Sequence, residues 1–118
     1  MISTILIAII GLLHIYFLIL EMFLWEKPSG LKAFGNTPEK AKLTKVLAQN
    51  QGLYNGFLAA GLFWSLWASM PFSQMLSNFF LACVFIAGVY GSVTASRKIL
   101  YIQAIPAFIA LILLNTGY

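Results

Sequence analysis

The stretch ISTILIAIIGLLHIYFLILEMFLW, residues 2–25, decides the fold class. Its apolar run is interrupted by His14 and Glu21, and it is longer than the roughly 20 residues that a helix needs to cross the hydrocarbon core of a bilayer. No basic segment precedes the run, and no small-residue cleavage site follows it. We therefore expect a retained transmembrane helix rather than a cleaved signal peptide.

Three further apolar runs follow, at about residues 44–70, 75–96 and 99–116. The second helix is predicted to begin in water near residue 38, because Thr37-Pro38-Glu39 supplies a hydroxyl cap, a first-turn proline and an acid at the positive end of the helix dipole. Backbone groups find no water in lipid, and no strand-like alternation appears, so helices are expected. The sequence predicts an all-α polytopic membrane protein: one domain, residues 1–118, forming a four-helix transmembrane bundle.

Composition and charge agree with this class. The chain is 61 % hydrophobic and 8 % charged, whereas soluble domains carry about 25 % charged residues. All seven basic residues lie in segments 26–45 and 96–98, which makes these loops cytoplasmic by the positive-inside rule and places both termini outside. The net charge of +4 therefore indicates an orientation in the lipid bilayer of a bacterial cytoplasmic (inner) membrane, and nucleic acid is excluded as a partner.

Several polar side chains lie where the sequence predicts hydrocarbon. His14 and Glu21 are almost two turns apart and share a face, at depths of about 16 Å and 6 Å below Trp25. The second helix enters from the same side and carries amides at similar depths. We expect these groups to converge on a polar pocket in the cytoplasmic half of the bundle, because lipid cannot solvate them. Its first candidates are His14, Glu21, Asn50, Gln51, Tyr54 and Asn55; secondary candidates at matching depths are Trp25, Tyr90, Thr94, Arg97 and Gln103.

A purely structural role for these groups stays open. Glu21 is able to pair with Lys45 or Arg97 near the interface, since buried charges need partners. His14 is able to form an interhelical hydrogen bond with Asn55, as polar side chains often do between membrane helices. The sequence alone does not choose between this role and a ligand site.

Small residues recur at four-residue spacing on two of the predicted helices. Such stripes allow helix backbones to approach closely. They are compatible with packing inside the bundle or between copies, and the small interior of a four-helix unit favours a homo-oligomer. The stripes are Gly52, Gly56 and Ala60, and Ala87, Gly91 and Ala95.

The pocket predicts a protein that binds or transports a small amphipathic or lipid-like molecule, since an intramembrane carboxylate with a histidine is typical of proton-coupled sites. One alternative is a membrane enzyme, an acid–base isomerase or hydrolase acting on a lipid-like substrate. Another is a structural or regulatory subunit. One histidine with one nearby carboxylate is too few ligands for a zinc site within one chain, so no metal and no cofactor are expected.

Two motifs carry a family resemblance: the His-x6-Glu-x3-Trp helix ending at Trp25, and the NQGxYNGFLAAGL helix, residues 50–62. Through them, and over nearly its whole length, the chain resembles a family of small bacterial integral membrane proteins known as domain of unknown function 1304. The resemblance implies a four-helix membrane fold in the bacterial inner membrane. It implies no activity and no catalytic residues.

Overall fold

The computed structural model describes residues 1–118 and contains only helices. The predicted all-α class is therefore confirmed. In chain order, α1 is Ile2–Met22, α2 is Pro28–Phe34, α3 is Pro38–Trp67 and α4 is Phe72–Thr94; a π-helical turn, Leu100–Ala104, then runs into α5, Ile105–Asn115.

Two helices, α1 and α4, are long and apolar enough to cross a membrane. Their most apolar windows have mean hydropathies of 2.5 and 1.8. The segment Leu100–Asn115 is apolar but shorter, and α3 carries several amides in its first half. By length and composition, therefore, two of the four predicted spans are able to cross a membrane.

The chain divides into two compact units. We name residues 13–57 the loop unit, because it contains α2 with the adjoining parts of α1 and α3. We name residues 1–12 with 58–118 the terminal unit, because it contains both chain ends. Each unit is described by itself.

The loop unit contains a short helix, α2, that the sequence pattern does not predict. Pro28 suggests only the end of the first helix, yet α1 ends earlier, at Met22, and Pro28 occupies the start of α2. Proline fits a first helical turn, where its missing N–H is not needed. The helix ends at Gly35, whose φ of 64° lies in the left-handed region and whose N–H donates to the Leu31 carbonyl. Such a left-handed glycine is a common helix terminator.

The helix α3 begins with the capping pattern that the sequence predicts. The Lys40 N–H donates to Thr37 Oγ1 at 3.2 Å, and Glu39 lies in the first turn. The hydroxyl thus satisfies one of the backbone donors left free at a helix start.

The terminal unit holds an apolar core. Its fully buried members come from α1, α3, α4 and α5, and lie among partly buried leucines and phenylalanines. Alanines at α5 positions allow that helix to approach its neighbours closely. The core residues are Ile7, Ile10, Leu62, Leu81, Val84, Ala107 and Ala110.

The π-helical turn precedes Pro106 and packs on Gly88. Pro106 has no N–H to donate to the Ile102 carbonyl, so one α-helical hydrogen bond is missing here. The preceding residue, Ile105, donates its N–H to the Leu100 carbonyl, five residues back, as in a π-helix. A Cβ at Gly88 would lie 2.7 Å from Ala104 N and 2.9 Å from Ala104 Cα. Backbone therefore meets backbone here, and only glycine leaves room for it.

The two ends of the terminal unit are joined by hydrogen bonds. The Ser3 N–H donates to the Tyr118 carbonyl at 3.3 Å. Three residues before Tyr118, Asn115 exchanges two side-chain hydrogen bonds with Asn78 of α4, of 3.2 and 2.7 Å. The start of α1, the start of α4 and the end of α5 are thus held at the same end of this unit.

Candidate functional site

The site is built around Glu21, in the last turn of α1. Its side chain is 4 % exposed, and the Asn55 amide of α3 donates to Glu21 Oε1 at 2.5 Å. A buried carboxyl group is costly unless it has polar partners. This hydrogen bond supplies one and leaves the second carboxyl oxygen available to another donor.

Glycines on α3 allow the carboxyl and the amide to meet. A Cβ at Gly52 would lie 3.3 Å from the Leu18 carbonyl oxygen and 3.1 Å from Glu21 Cβ. One turn later, a Cβ at Gly56 would lie 2.7 Å from Leu18 Cδ1. The predicted small-residue stripe thus brings α1 and α3 together within the loop unit, and this close approach places Asn55 within reach of Glu21.

Glu21 lines a cavity of about 440 Å³ at the end of α1. At its mouth, Lys45 Nζ lies 3.1 Å from Glu26 Oε1, in an ion pair between two half-exposed side chains. Lys45, one of the two cations considered as a partner for Glu21, is therefore engaged by Glu26. The lining residues are Glu21, Met22, Phe23, Trp25, Glu26, Lys27, Lys45 and Gln49.

Trp25 forms a fixed wall of this cavity. Its indole Nε1–H points to the Ala41 carbonyl at 3.1 Å and to Thr44 Oγ1 at 3.2 Å. Its ring centroid lies 4.9 Å from that of Phe34 on α2. Trp25 therefore ties the loop after α1 to both α2 and the first turns of α3.

A second, more open and more apolar groove of about 340 Å³ adjoins the cavity. The two share Met22, Phe23 and Gln49 as a common wall, and Asn50 and Leu53 complete the groove. A polar cavity thus opens beside an apolar groove. Polar groups around Glu21 and the apolar side chains of Phe23 and Leu53 thus lie side by side.

His14 is fully buried and does not line either cavity. Its ring meets Phe17 edge to face, with centroids 5.4 Å apart and an interplanar angle of 71°. It lies seven residues from Glu21 on α1, or about 10 Å along the helix. The cavity at Glu21 therefore does not include the imidazole.

The structure does not bring the remaining α3 candidates to Glu21. Asn50, Gln51 and Tyr54 are exposed, and Asn50 Nδ2 donates to the Val46 carbonyl of its own helix at 2.9 Å. Asn50 and Asn55 are five residues apart, or about 140° around the helix. Asn55 therefore points to Glu21, while Asn50 lies on another side of α3 and lines the adjoining groove.

The secondary candidates beyond Trp25 belong to the terminal unit. Tyr90, Thr94 and Arg97 are exposed there, with Thr94 Oγ1 donating to the Tyr90 carbonyl at 2.8 Å. Gln103 is partly buried in the π-helical turn. Their participation in the site stays a prediction.

Sequence reasoning did not single out most of the cavity wall. Met22, Phe23, Glu26 and Lys27 follow Glu21 directly, and Gln49 precedes the recognised amides. The signal that points to them is their place within six residues after Glu21 on one side, and about one turn before Gly52 on the other. No group of three or more His, Cys, Asp or Glu side chains is placed to hold a metal ion.

Comparison with known proteins agrees with the resemblance seen in the sequence. A family model described as "Protein of unknown function (DUF1304)" matches residues 8–115. The "Uncharacterized protein YpaA" of Lactococcus lactis subsp. lactis (strain IL1403) is 29 % identical over 112 residues, which cover 93 % of each chain. No solved structure matches the chain. All the cavity-lining residues fall within the matched range.

Proposed function

The chain belongs to this family of proteins of unknown function, and we propose that it is a four-span membrane protein whose cavity at Glu21 binds a small amphipathic molecule. The observation that carries the proposal is the polar cavity of about 440 Å³ that reaches a buried carboxyl group and adjoins an apolar groove. Binding of small molecules in concave, mostly preformed sites with a few polar groups is the common pattern in proteins.

Exposure of the apolar helices supports a membrane location. In both α1 and α4, 28 % of the most apolar window is buried inside the molecule, whereas the core helix of a soluble protein is mostly buried. Large apolar side chains elsewhere are also open, among them Trp67 at 87 % and Val93 at 81 % exposed. Lipid is the medium that covers such surfaces without a free-energy cost.

The placement of the ends and the charges supports an even number of crossings. Ser3 and Tyr118 are hydrogen-bonded, so the start of α1 and the end of α5 lie on one side. The basic residues lie between the end of α1 and the first turns of α3, and between α4 and the π-helical turn. Four crossings in a bacterial cytoplasmic membrane put both of these loops in the cytoplasm and both ends outside.

Labelling of single cysteines tests this topology. In a Cys83→Ala background, which removes the one native cysteine, a membrane-impermeant maleimide should label Ser69→Cys in intact spheroplasts. Lys42→Cys and Lys98→Cys should react only after the membrane is opened, because both positions lie in the basic segments that are expected to face the cytoplasm. All three positions are exposed, so access depends on the side of the membrane. Labelling of Lys42→Cys and Lys98→Cys from opposite sides would contradict four crossings.

The head group is expected to donate hydrogen bonds. Glu21 accepts from Asn55 through Oε1 and keeps its second oxygen for a ligand. Glu26 and Lys45 neutralise one another at the mouth, so Glu21 is the buried acceptor that an incoming group meets. An ammonium group donates a strong, charge-assisted hydrogen bond to a carboxylate. We therefore propose a single-chain amphiphile with an amine-containing head.

Native mass spectrometry of the protein released from mild detergent tests this function. The wild-type chain should carry a co-purified amphiphile, and Gln49→Trp should lose it, because the larger ring fills the wall shared by cavity and groove. Leu47→Trp is the matched control: it lies on the same helix, is exposed and lines neither cavity. A wild-type chain without an adduct, or equal adducts in both variants, would contradict the proposal.

A further inference from the structure

The cavity at Glu21 is lined by two acidic and two basic side chains, Glu21, Glu26, Lys27 and Lys45. Lys45 Nζ and Glu26 Oε1, 3.1 Å apart, form the one ion pair in residues 1–118. Glu21 and Lys27 are therefore left without a side chain of opposite charge. The charges of the cavity balance, yet it presents one carboxyl group and one ammonium group that are not paired.

These two groups lie at opposite ends of the cavity. A Cβ at Gly52 would lie 3.1 Å from Glu21 Cβ, so Glu21 is level with Gly52 on α3. Lys27 is exposed and directly follows Glu26, which is held to Lys45. Lys45 precedes Gly52 by seven residues, or about 10 Å along the helix. The carboxyl group therefore lies deep in the cavity, and the ammonium group lies at its mouth.

The apolar groove joins the cavity at its deep end. Lys45, Gln49 and Leu53 follow one another at four-residue intervals and so share a face of α3. Lys45 lines the cavity, Leu53 lines the groove, and Gln49 lines both. Leu53 is adjacent in sequence to Gly52, the residue level with Glu21. From the groove to the mouth, a bound molecule therefore meets apolar side chains, then a carboxyl group, then an ammonium group.

We propose that the ligand is a zwitterionic amphiphile with its ammonium group next to the tail and an anionic group, a carboxylate or a phosphate, at the far end of its head. The inference rests on the proposed function and makes it more specific. The ligand's ammonium group donates to Glu21, and Lys27 donates to the anionic group, so both unpaired charges gain a partner. A simple amine leaves Lys27 unpaired. A zwitterion with the reverse order places its anionic group beside Glu21, where like charges repel.

Competition for bound, radiolabelled dodecylamine in a non-ionic detergent tests the order of charges. N-dodecylglycine, whose amine adjoins the tail and whose carboxylate is terminal, should compete about 3- to 5-fold better than unlabelled dodecylamine, the effect of one exposed ion pair. Dodecylphosphoethanolamine, which has the reverse order, should compete less well than dodecylamine. Glycine and inorganic phosphate, which have no tail, should not compete at the same concentrations. Equal competition by N-dodecylglycine and dodecylamine, or better competition by the reverse zwitterion, overturns the proposal.

Variants of Lys27 test its role in the same assay. Lys27→Ala should bring N-dodecylglycine and dodecylamine to equal affinity, and Lys27→Arg should keep the preference for the zwitterion. Lys32→Ala is the matched control: it removes an exposed lysine of α2 that does not line the cavity, and it should keep the preference. A preference that survives in Lys27→Ala, or is lost equally in Lys32→Ala, overturns the role of Lys27. Binding of dodecylamine with no preference for the zwitterion refutes this inference alone, whereas no binding of dodecylamine refutes the proposed function as well.

Discussion

Gly88→Ala should destabilise the protein, although alanine is the better helix former. The added Cβ would lie 2.7 to 2.9 Å from three atoms of Ala104, two of them backbone, and a backbone held in a π-helical turn does not move aside as a side chain does. Overpacking of this kind costs about 1–3 kcal/mol, and the gain in helix propensity offsets about 1 kcal/mol. We expect a net loss of up to about 2 kcal/mol, measured by thermal unfolding in detergent with circular dichroism.

Gly91→Ala is the matched control on the same helix. Its added Cβ would lie 3.3 Å from the flexible side chain of Ile99, which is able to shift. The gain in helix propensity should then dominate, and this variant should be as stable as the wild type or slightly more stable. Equal melting temperatures for the two variants would mean that α4 and the π-helical turn do not meet at Gly88.

Glu21→Gln should weaken amphiphile binding strongly while the protein still folds. The substituted amide oxygen keeps the hydrogen bond from Asn55, and the side chain keeps its volume in a site that is 4 % exposed. The second carboxyl oxygen, however, is replaced by a donor that cannot accept from an ammonium group. A hydrogen bond to a charged group contributes about 1.5–3 kcal/mol, so affinity for an amine should fall about 10- to 100-fold.

Glu39→Gln is the control for this loss. Glu39 is exposed in the first turn of α3 and lines neither cavity, so the substitution removes an acid without touching the site. It should leave the affinity for the amine unchanged. An equal fall in affinity for both variants would indicate a general effect of charge rather than a bond at Glu21.

The amino-acid pattern predicts some of these features because they depend on local periodicity. An all-α fold follows from long apolar runs that need internal backbone hydrogen bonds. The pattern predicts that polar groups of α1 meet amides of α3, but it places Asn55 at the depth of His14, whereas the structure bonds Asn55 to Glu21. The start of α3 at Pro38 follows from its cap. Each depends on residues a few positions apart or on the cost of polar groups in lipid.

Other features depend on contacts that no local pattern encodes. Residues 50–55 present amides around more than a third of the helix surface, and only the close approach at Gly52 selects Asn55 over Asn50. The helix α2 is a single short element of seven residues, too short for a periodic signal. The polar end of the cavity arises where the loop after α1 folds back, so Glu26 and Lys45 meet across a large separation in sequence.

The most direct test of the central claim is the fluorescence of Trp25. With Trp64 and Trp67 replaced by phenylalanine, Trp25 is the one remaining tryptophan of three, and it lines the cavity. A single-chain amine with a brominated tail should quench this fluorescence saturably, and Glu21→Gln should require far higher concentrations. The same tail with a sulfate head should quench only in proportion to its concentration in the detergent. Identical quenching curves for the amine and the sulfate, or for Glu21 and its glutamine variant, would contradict a binding site at Glu21.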